Sequence, residues 1–493
     1  MRHLLFAAFV ALLPAVSSAR TVPDQALPKP VRKLAEAIDA ADAKDCGKAV
    51  KLAERLAEAK GGLNELGQSL ALDTLARCAF MTGDKAQAAV LIRRATAFDA
   101  ASDDIWHRRL QIDLLAQDWD AAVGSVEAMV TDGRGGALNR ISEEAISHLD
   151  NELRRAKRKD LQKRLLQVLA SDGYSPTDLF ADTDLYRRRL AIQMAEEGDT
   201  ARAKALVEGL TDPWSVARAS LDLRLRRFLP ADPDIRALLE RRLEGRLRIM
   251  RANPDRLEPL IYVASDLRKL GRVEQALKVL QTAAPQIAEA DAYVDAAKHG
   301  SWWWDELSRT YVALGRFDEA ADALRKGGEL SENGGSNVSQ TINLAHLQVR
   351  AGRSGDALKT LAAFMTTPHN ISPYGEVALR SARACAFADT GNRAEALKDV
   401  AYIRDHQLDA PGSLDGVALC VGDLDGAAAA LIKRLEDPDE RVDALLDLSD
   451  YDDPPVKLPD NIFNRDNKKL IERPDVKAAI ASAGGTRRFR IQG

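Results

Sequence analysis

The sequence predicts an all-α solenoid of stacked antiparallel helix pairs, and three observations carry that prediction. A short element recurs along the chain: a helix ends in Gly, polar residues follow, and an Ala stands five residues after the Gly. Composition favours helix, with Ala, Leu, Arg, Glu and Lys abundant and aromatic residues at only 5%, too few for a sheet-rich core. No run shows sustained period-two alternation bounded by hairpin turns. A chain of 493 residues would ordinarily divide into several globular domains. Repeats escape that rule, because each unit packs only on its neighbours.

The element stands at Gly83/Ala88, Gly198/Ala203, Gly271/Ala276, Gly315/Ala320, Gly352/Ala357, Gly391/Ala396 and Gly422/Ala427. Gln117/Ala122 fits with Gln in place of Gly, and Lys44/Ala49 is a weaker first copy. Most neighbouring copies lie 31 to 44 residues apart. The intervals Gln117–Gly198 and Gly198–Gly271 are near twice that, so each should hold one degenerate pair, roughly over 139–171 and 214–252. The Gly supplies the left-handed backbone that ends a helix. The Ala is small because two antiparallel helices cross closely there. Apolar residues follow at helical spacing, as in Ala276, Leu277 and Leu280. One such pair cannot bury its apolar stripe alone, so pairs must stack.

Trp304, Leu307, Ser308, Tyr311, Gly315, Phe317, Ala320 and Leu324 fall on the signature spacing of the tetratricopeptide repeat, which this unit closely resembles. Leu260, Val263, Ala264, Leu267, Gly271, Ala276 and Leu280 repeat the pattern. Trp106, Trp119 and Ala122 mark a looser copy, in which Arg109 and Asp113 depart from the apolar positions. The resemblance covers 31–436, strongly in 256–405. It implies a right-handed superhelix of about eleven helix pairs with a concave ligand-binding face.

The chain divides as follows. Residues 1–19 read as a secretory signal peptide: Arg2 and His3 precede an apolar run from Leu4 to Ala15, and Ser17-Ser18-Ala19 offers a cleavage site. About a dozen apolar residues are too few for a span that needs roughly 20. Residues 20–30, with Pro23, Pro28 and Pro30, form an extended lead-in. Residues 31–255 hold partly degenerate repeats, 256–436 clearer ones, and 437–493 a C-terminal cap and tail. Within the last stretch, 450–461 reads as irregular, Pro474 opens a helix that Gly484-Gly485 closes, and Arg487, Arg488 and Arg490 form a frayed basic tail.

Chemistry-bearing motifs are missing from the sequence. It holds no zinc-protease helix motif, nucleophile elbow, phosphate-binding loop or dinucleotide fingerprint. Asp423-Leu424-Asp425-Gly426 lacks the other ligands and the closing Glu of a calcium loop. The six histidines after the signal peptide are scattered singly. No enzyme, cofactor or metal is therefore expected. A net charge of −4 gives no bulk argument for nucleic acid or a membrane surface. Four cysteines remain, and in an oxidising compartment Cys46–Cys78 and Cys385–Cys420 could each staple adjacent repeats, the first pair being preferred. Asn337-Val338-Ser339 and Asn370-Ile371-Ser372 match the glycan acceptor pattern.

In Trp302-Trp303-Trp304 consecutive side chains are about 100° apart, so the three cannot share a face. The repeat register gives Trp304 the core, turns Trp303 toward the preceding pair and points Trp302 at the concave face. Extending that face along three first helices yields a candidate strip of Arg268, Trp302, Asp305, Arg309, His346 and Arg350. An aromatic among basic groups suits an extended peptide, an acidic segment or a glycan; a merely solvated groove is the competing reading. The expected function is an exported, non-catalytic scaffold of the bacterial envelope, periplasmic or secreted, that binds a protein or peptide partner. Glycan binding and a solenoid-bodied cell-wall enzyme are the alternatives. Intact mass and N-terminal sequencing of the exported protein should show Arg20 as the first residue; an intact Met1 would remove the export reading.

Overall fold

The computed structural model describes residues 27–58, 62–131, 133, 135–181, 183–287, 292–332, 335–367, 369–456 and 462–492. The expected signal peptide and the first part of the expected lead-in lie outside them. Helix begins at Lys29, so the lead-in is shorter than expected, and Pro30 sits in the first turn, where its missing N–H costs nothing.

Left-handed turns recur where the spacing places them. Backbone φ lies between 72° and 93° at Gly83, Gly198, Gly271, Gly315, Gly352, Gly391 and Gly422. Gln117 (57°) and Lys44 (62°) take the same conformation in place of Gly. All nine Ala residues five positions on are completely buried. The residue after the left-handed one has two tasks. Its N–H returns to the carbonyl five residues back, as in Asp84 to Ala79 (2.9 Å) and Asp423 to Ala418 (2.9 Å), satisfying a helix-end carbonyl. In Asp45, Asp84, Asp199, Asn392 and Asp423 its side chain also caps the next helix by accepting an N–H three residues on, a contribution of about 1 kcal/mol each. Arg158, Arg272, Arg316 and Arg353 hold this position elsewhere without capping. Their guanidiniums instead pair with Asp160 and Asp120, Glu240, Glu319 and Asp318 respectively.

The two degenerate intervals differ. In the first, helices Glu143–Arg155 and Lys159–Leu169 are joined through Lys157 (φ 54°), a turn of the same kind. Gln162 occupies the Ala position and donates to Asp150 Oδ1 at 2.9 Å, which is why the element is missing from the sequence. In the second, Pro213–Leu221 and Ile235–Ala252 are joined through a 3₁₀ turn and an extended stretch that contains Pro230 and Pro233. No residue there has a left-handed backbone.

Packing divides the chain into two compact units, Met1–Gly198 and Asp199–Gly493. Each is an all-α solenoid of antiparallel helix pairs. In the first unit Leu72, Ile92, Ile105 and Ile112 lie in one continuous core. Polar groups are buried beside it. Asp113 accepts from Ser125 Oγ (2.6 Å), and Arg109 donates to Ser125 Oγ (2.9 Å) and Thr96 Oγ1 (3.0 Å), so the two non-apolar repeat residues are bridged by Ser125.

The second unit closes on itself through its C-terminus. Strand β1 (Asp450–Asp452) pairs in parallel with strand β2 (Arg488–Gln492), and β2 packs on helices Ile235–Ala252 and Glu258–Lys269. Phe489 and Ile491 are buried. Arg487 donates from Nε to the Ser220 carbonyl (2.9 Å) and from Nη1 to that of Ala231 (2.6 Å). Arg236 donates to the Arg490 carbonyl at 3.1 Å. The expected frayed tail is thus corrected, as is the start of the expected irregular stretch, where Asp450–Asp452 is a strand; residues 453–456 are irregular as expected, and 457–461 lie outside the described residues. Two inward side chains in a five-residue strand are too short a pattern to read among three arginines. Helix Arg441–Asp447 also meets Pro213–Leu221, where Arg218 pairs with Asp443 at 2.9 Å.

Gly315 and Gly352 share φ 72°, but a Cβ on Gly315 would lie 2.7 Å from Val456 Cγ1, whereas one on Gly352 meets nothing within 4 Å. Gly352→Ala should therefore cost about 1–2 kcal/mol from the left-handed backbone alone. Gly315→Ala should cost measurably more in urea melts, and Val456→Ala should recover only that excess. Equal losses would mean that residue 456 does not cross this turn.

Candidate functional site

Helices Glu258–Lys269, Ala296–Ala313 and Ser339–Arg350 are the first helices of three successive pairs. Along Ser339–Arg350, Asn343, His346 and Arg350 recur at i, i+3 and i+7, and so lie on one face. Arg268, Asp305, Arg309, His346 and Arg350 line a single cavity of about 390 Å³. Pro454, Val456 and Gln492 supply a wall from the C-terminal segment, and Val312, Leu324 and Leu347 an apolar floor.

The charges in this cavity are unevenly matched. Arg268 makes a two-pronged pair with Glu306, Nε to Oε1 at 2.9 Å and Nη2 to Oε2 at 3.3 Å. Arg309 Nε donates to Asp305 Oδ2 at 2.6 Å, and Asn343 Nδ2 donates to the other oxygen at 2.9 Å. Asp305 is buried, whereas its guanidinium partner keeps 55% of its side-chain surface toward solvent. Arg350 is exposed and has no carboxylate or hydrogen-bond partner among the described residues; partial desolvation, then the Arg309 charge, pushes its pKa down. His346 Nε2–H donates to the Ala378 carbonyl at 3.1 Å, and burial, aided by Arg350, lowers its pKa and holds the ring neutral.

Trp302 does not join the other five. It is 39% exposed and lies outside the cavity lining. It shares a helix face with Arg309, but seven residues at 1.5 Å each set it about 10 Å up the axis, beyond the cavity. The core assignment within the triplet also changes. Trp303 is completely buried. Trp304 is half-buried, edge-to-face with Trp303 at 4.7 Å between ring centres and with Lys326 5.2 Å above it. Gly327 admits the Trp304 side chain, since a Cβ there would lie 2.9 Å from Trp304 Cβ.

Asn343 escaped the sequence reading although its helical stripe with His346 and Arg350 was available. Pro454, Val456 and Gln492 carry no local signal at all. Lys269 was also missed. Its ammonium lies 4.7 Å from the Trp214 ring centre, and burial with the charges of Arg242 and Arg268 brings its pKa down to about 8. Nearby, buried Asp266 accepts from Arg242 and Arg246 at 2.7 Å each.

The cysteine order is the reverse of that expected. Cys385 and Cys420 are bonded, with Cα atoms 5.0 Å apart, and link the first helices of adjacent pairs. Closing a loop of 35 residues contributes about 4 kcal/mol in the chain-entropy account. Cys46 and Cys78 are thiols. They are close enough to interact, and burial followed by the Cys46 contact pushes Cys78 up to about 12. Spacing alone could not rank the two pairs, because bonding depends on how the Cβ vectors meet.

Glu258, Asp295 and His299 bring candidate metal-ligand atoms within 4.8 Å of one another, a grouping invisible in sequence. Asp295 there caps a helix, accepting from the N–H of Leu257 (2.8 Å) and Glu258 (3.1 Å). A helix start disfavours a cation, so capping explains the trio. Asp423 likewise caps Gly426 rather than opening a calcium loop. Buried Asn337 spends its amide on the Gly327 carbonyl at 2.9 Å, which removes it as a glycan acceptor, whereas Asn370 is exposed. Among the described residues no helix is long and apolar enough to cross a membrane.

No family model matches the chain, and no curated protein matches it. Among solved structures it is similar to the APC/C hetero-tetramer Cut9-Hcn1, at 12% identity over 92% of this chain and 96% of that one, with a TM-score of 0.30. It is similar to yeast Tom70 at 13% identity over 92% and 94% of the two chains, TM-score 0.32. It is also similar to the pentatricopeptide repeat protein PPR10 from maize, at 13% over 85% and 65%, TM-score 0.32. Likenesses this distant carry no argument about a partner. The helix-pair architecture rests on this chain's own turns and packing.

A histidine kept neutral in the fold stabilises it fully above the unfolded pKa near 6.5. That contribution is lost as pH falls from there toward the lowered folded value. Urea midpoints should drop between pH 7 and 5, and His346→Gln, which can still donate to Ala378, should flatten part of the drop. His299, also lowered by burial, accounts for a further part.

Proposed function

We propose that the chain is an exported helical-repeat scaffold of the bacterial envelope that holds a partner at the cavity beside Arg309 and Arg350, without catalysing a reaction. The observation that carries this reading is the convergence of five side chains from three repeats on one cavity. Rigid stacking presents such a surface at low ordering cost. The apolar run from Leu4 to Ala15 supports export, and the Cys385–Cys420 bond suits an oxidising compartment. Both carboxylates beside the cavity, Asp305 and Glu306, are held as arginine ion pairs, an arrangement suited to positioning rather than proton transfer.

The preferred partner is a protein or peptide. A small-molecule reading is favoured by one observation: the chain's own Pro454, Val456 and Gln492 already occupy one side of the concave face, which shortens any groove. In-cell crosslinking of the tagged protein in its native envelope should capture a reproducible protein that Arg309→Glu loses. Trp302→Ala should retain it, because Trp302 stands off the cavity. Background capture from folded, exported protein would move the conclusion to a small ligand.

A further inference from the structure

Three guanidiniums, Arg268, Arg309 and Arg350, and one carboxylate, Asp305, line the cavity, and a second carboxylate beside it, Glu306, pairs with Arg268. One positive charge is left over, and its place is defined. Glu306 is engaged through both oxygens by Arg268. Asp305 is engaged through one oxygen by Arg309 and through the other by Asn343. Neither carboxylate pairs with Arg350, which lines the same cavity as Arg309 without a counter-charge among the described residues.

Arg309 is tied to Asp305 through Nε, so its terminal nitrogens remain to donate into the cavity. His346 is one helical turn from Arg350 and donates its Nε2 hydrogen to Ala378, while burial lowers its pKa. Val312, Leu324, Leu347 and Val456 add apolar surface to the same lining. A volume of about 390 Å³ lies within the range of small-molecule sites, roughly 300–1,000 Å³.

We infer that this cavity binds a small amphiphilic anion, its anionic group held between the Arg309 and Arg350 guanidiniums and its apolar body against Val312, Leu347 and Val456. The inference rests on the reading of this cavity as the binding site, and it names what enters it. A guanidinium offers paired donors to a carboxylate or a phosphate monoester, so either headgroup meets the chemistry. The wall contributed by the C-terminal segment favours a compact ligand over a long one.

The test is titration calorimetry of the mature full-length protein with hexanoate, hexyl phosphate, hexanol and hexylammonium. At least one of the two anions should bind saturably at one site, and the preferred anion identifies the headgroup; hexanol and hexylammonium should not compete. Arg350→Gln should weaken the anion at least about tenfold and Arg350→Lys less, with unchanged circular dichroism. Acetate should bind more weakly than hexanoate if the apolar wall contributes. Hexanol binding as well as the anions, or no anion binding by wild-type protein, overturns the inference without any variant having to fold. A crosslinked protein partner lost on Arg309→Glu, with no anion binding, would sink this inference and leave the scaffold standing. Anion binding with no captured partner would do the reverse.

Discussion

Most of this fold depends on reversing a helix within two or three residues while keeping the two helices close enough to share a core. A left-handed residue makes the reversal, and a completely buried Ala five positions on makes the approach. Without the first, the helix-end carbonyls would have no partners. Without the second, the paired helices would be held apart and their apolar stripes would stay wet. Gln117 and Lys44 show that backbone geometry is what the turn requires, since each accepts the strain that Gly avoids.

The inner surface of the second unit is built on a different interaction, the arginine–carboxylate pair. Asp266, Glu306, Asp305 and Asp399 are all buried, and each receives at least one guanidinium. A buried acid without such a partner would be costly, so these pairs fix which side chains share each layer. Arg350 is the member of that layer left over, which is why the cavity acquires a charge preference and not merely a shape.

Helix pairs and their turns were legible because their causes are local: a Gly, a cap and a small residue at fixed offsets. The degenerate pair around Lys157 was legible only as a gap of the right length. Five of the six strip residues line one cavity because helical periodicity specifies a face. Trp302 went astray because periodicity says nothing of position along the axis. Nothing local could announce Val456 or Gln492, which reach the cavity from more than a hundred residues away. The Cys385–Cys420 bond was similarly undecidable from spacing, since both cysteine pairs are about one repeat apart.

Closure of the second unit by its last strand also has a consequence for the order of folding. Arg487 reaches Ser220 across 267 residues of sequence. Repeat stacks ordinarily grow by contacts between neighbours, pair upon pair, as chain becomes available. Here the first helices of the unit receive their final contacts only after residues 487–492 have been made. Long-range pairing of that kind is slow. The early helices must therefore persist with an apolar edge uncovered until the C-terminus arrives, and during that interval the chain is most open to chaperones, proteases and misassembly.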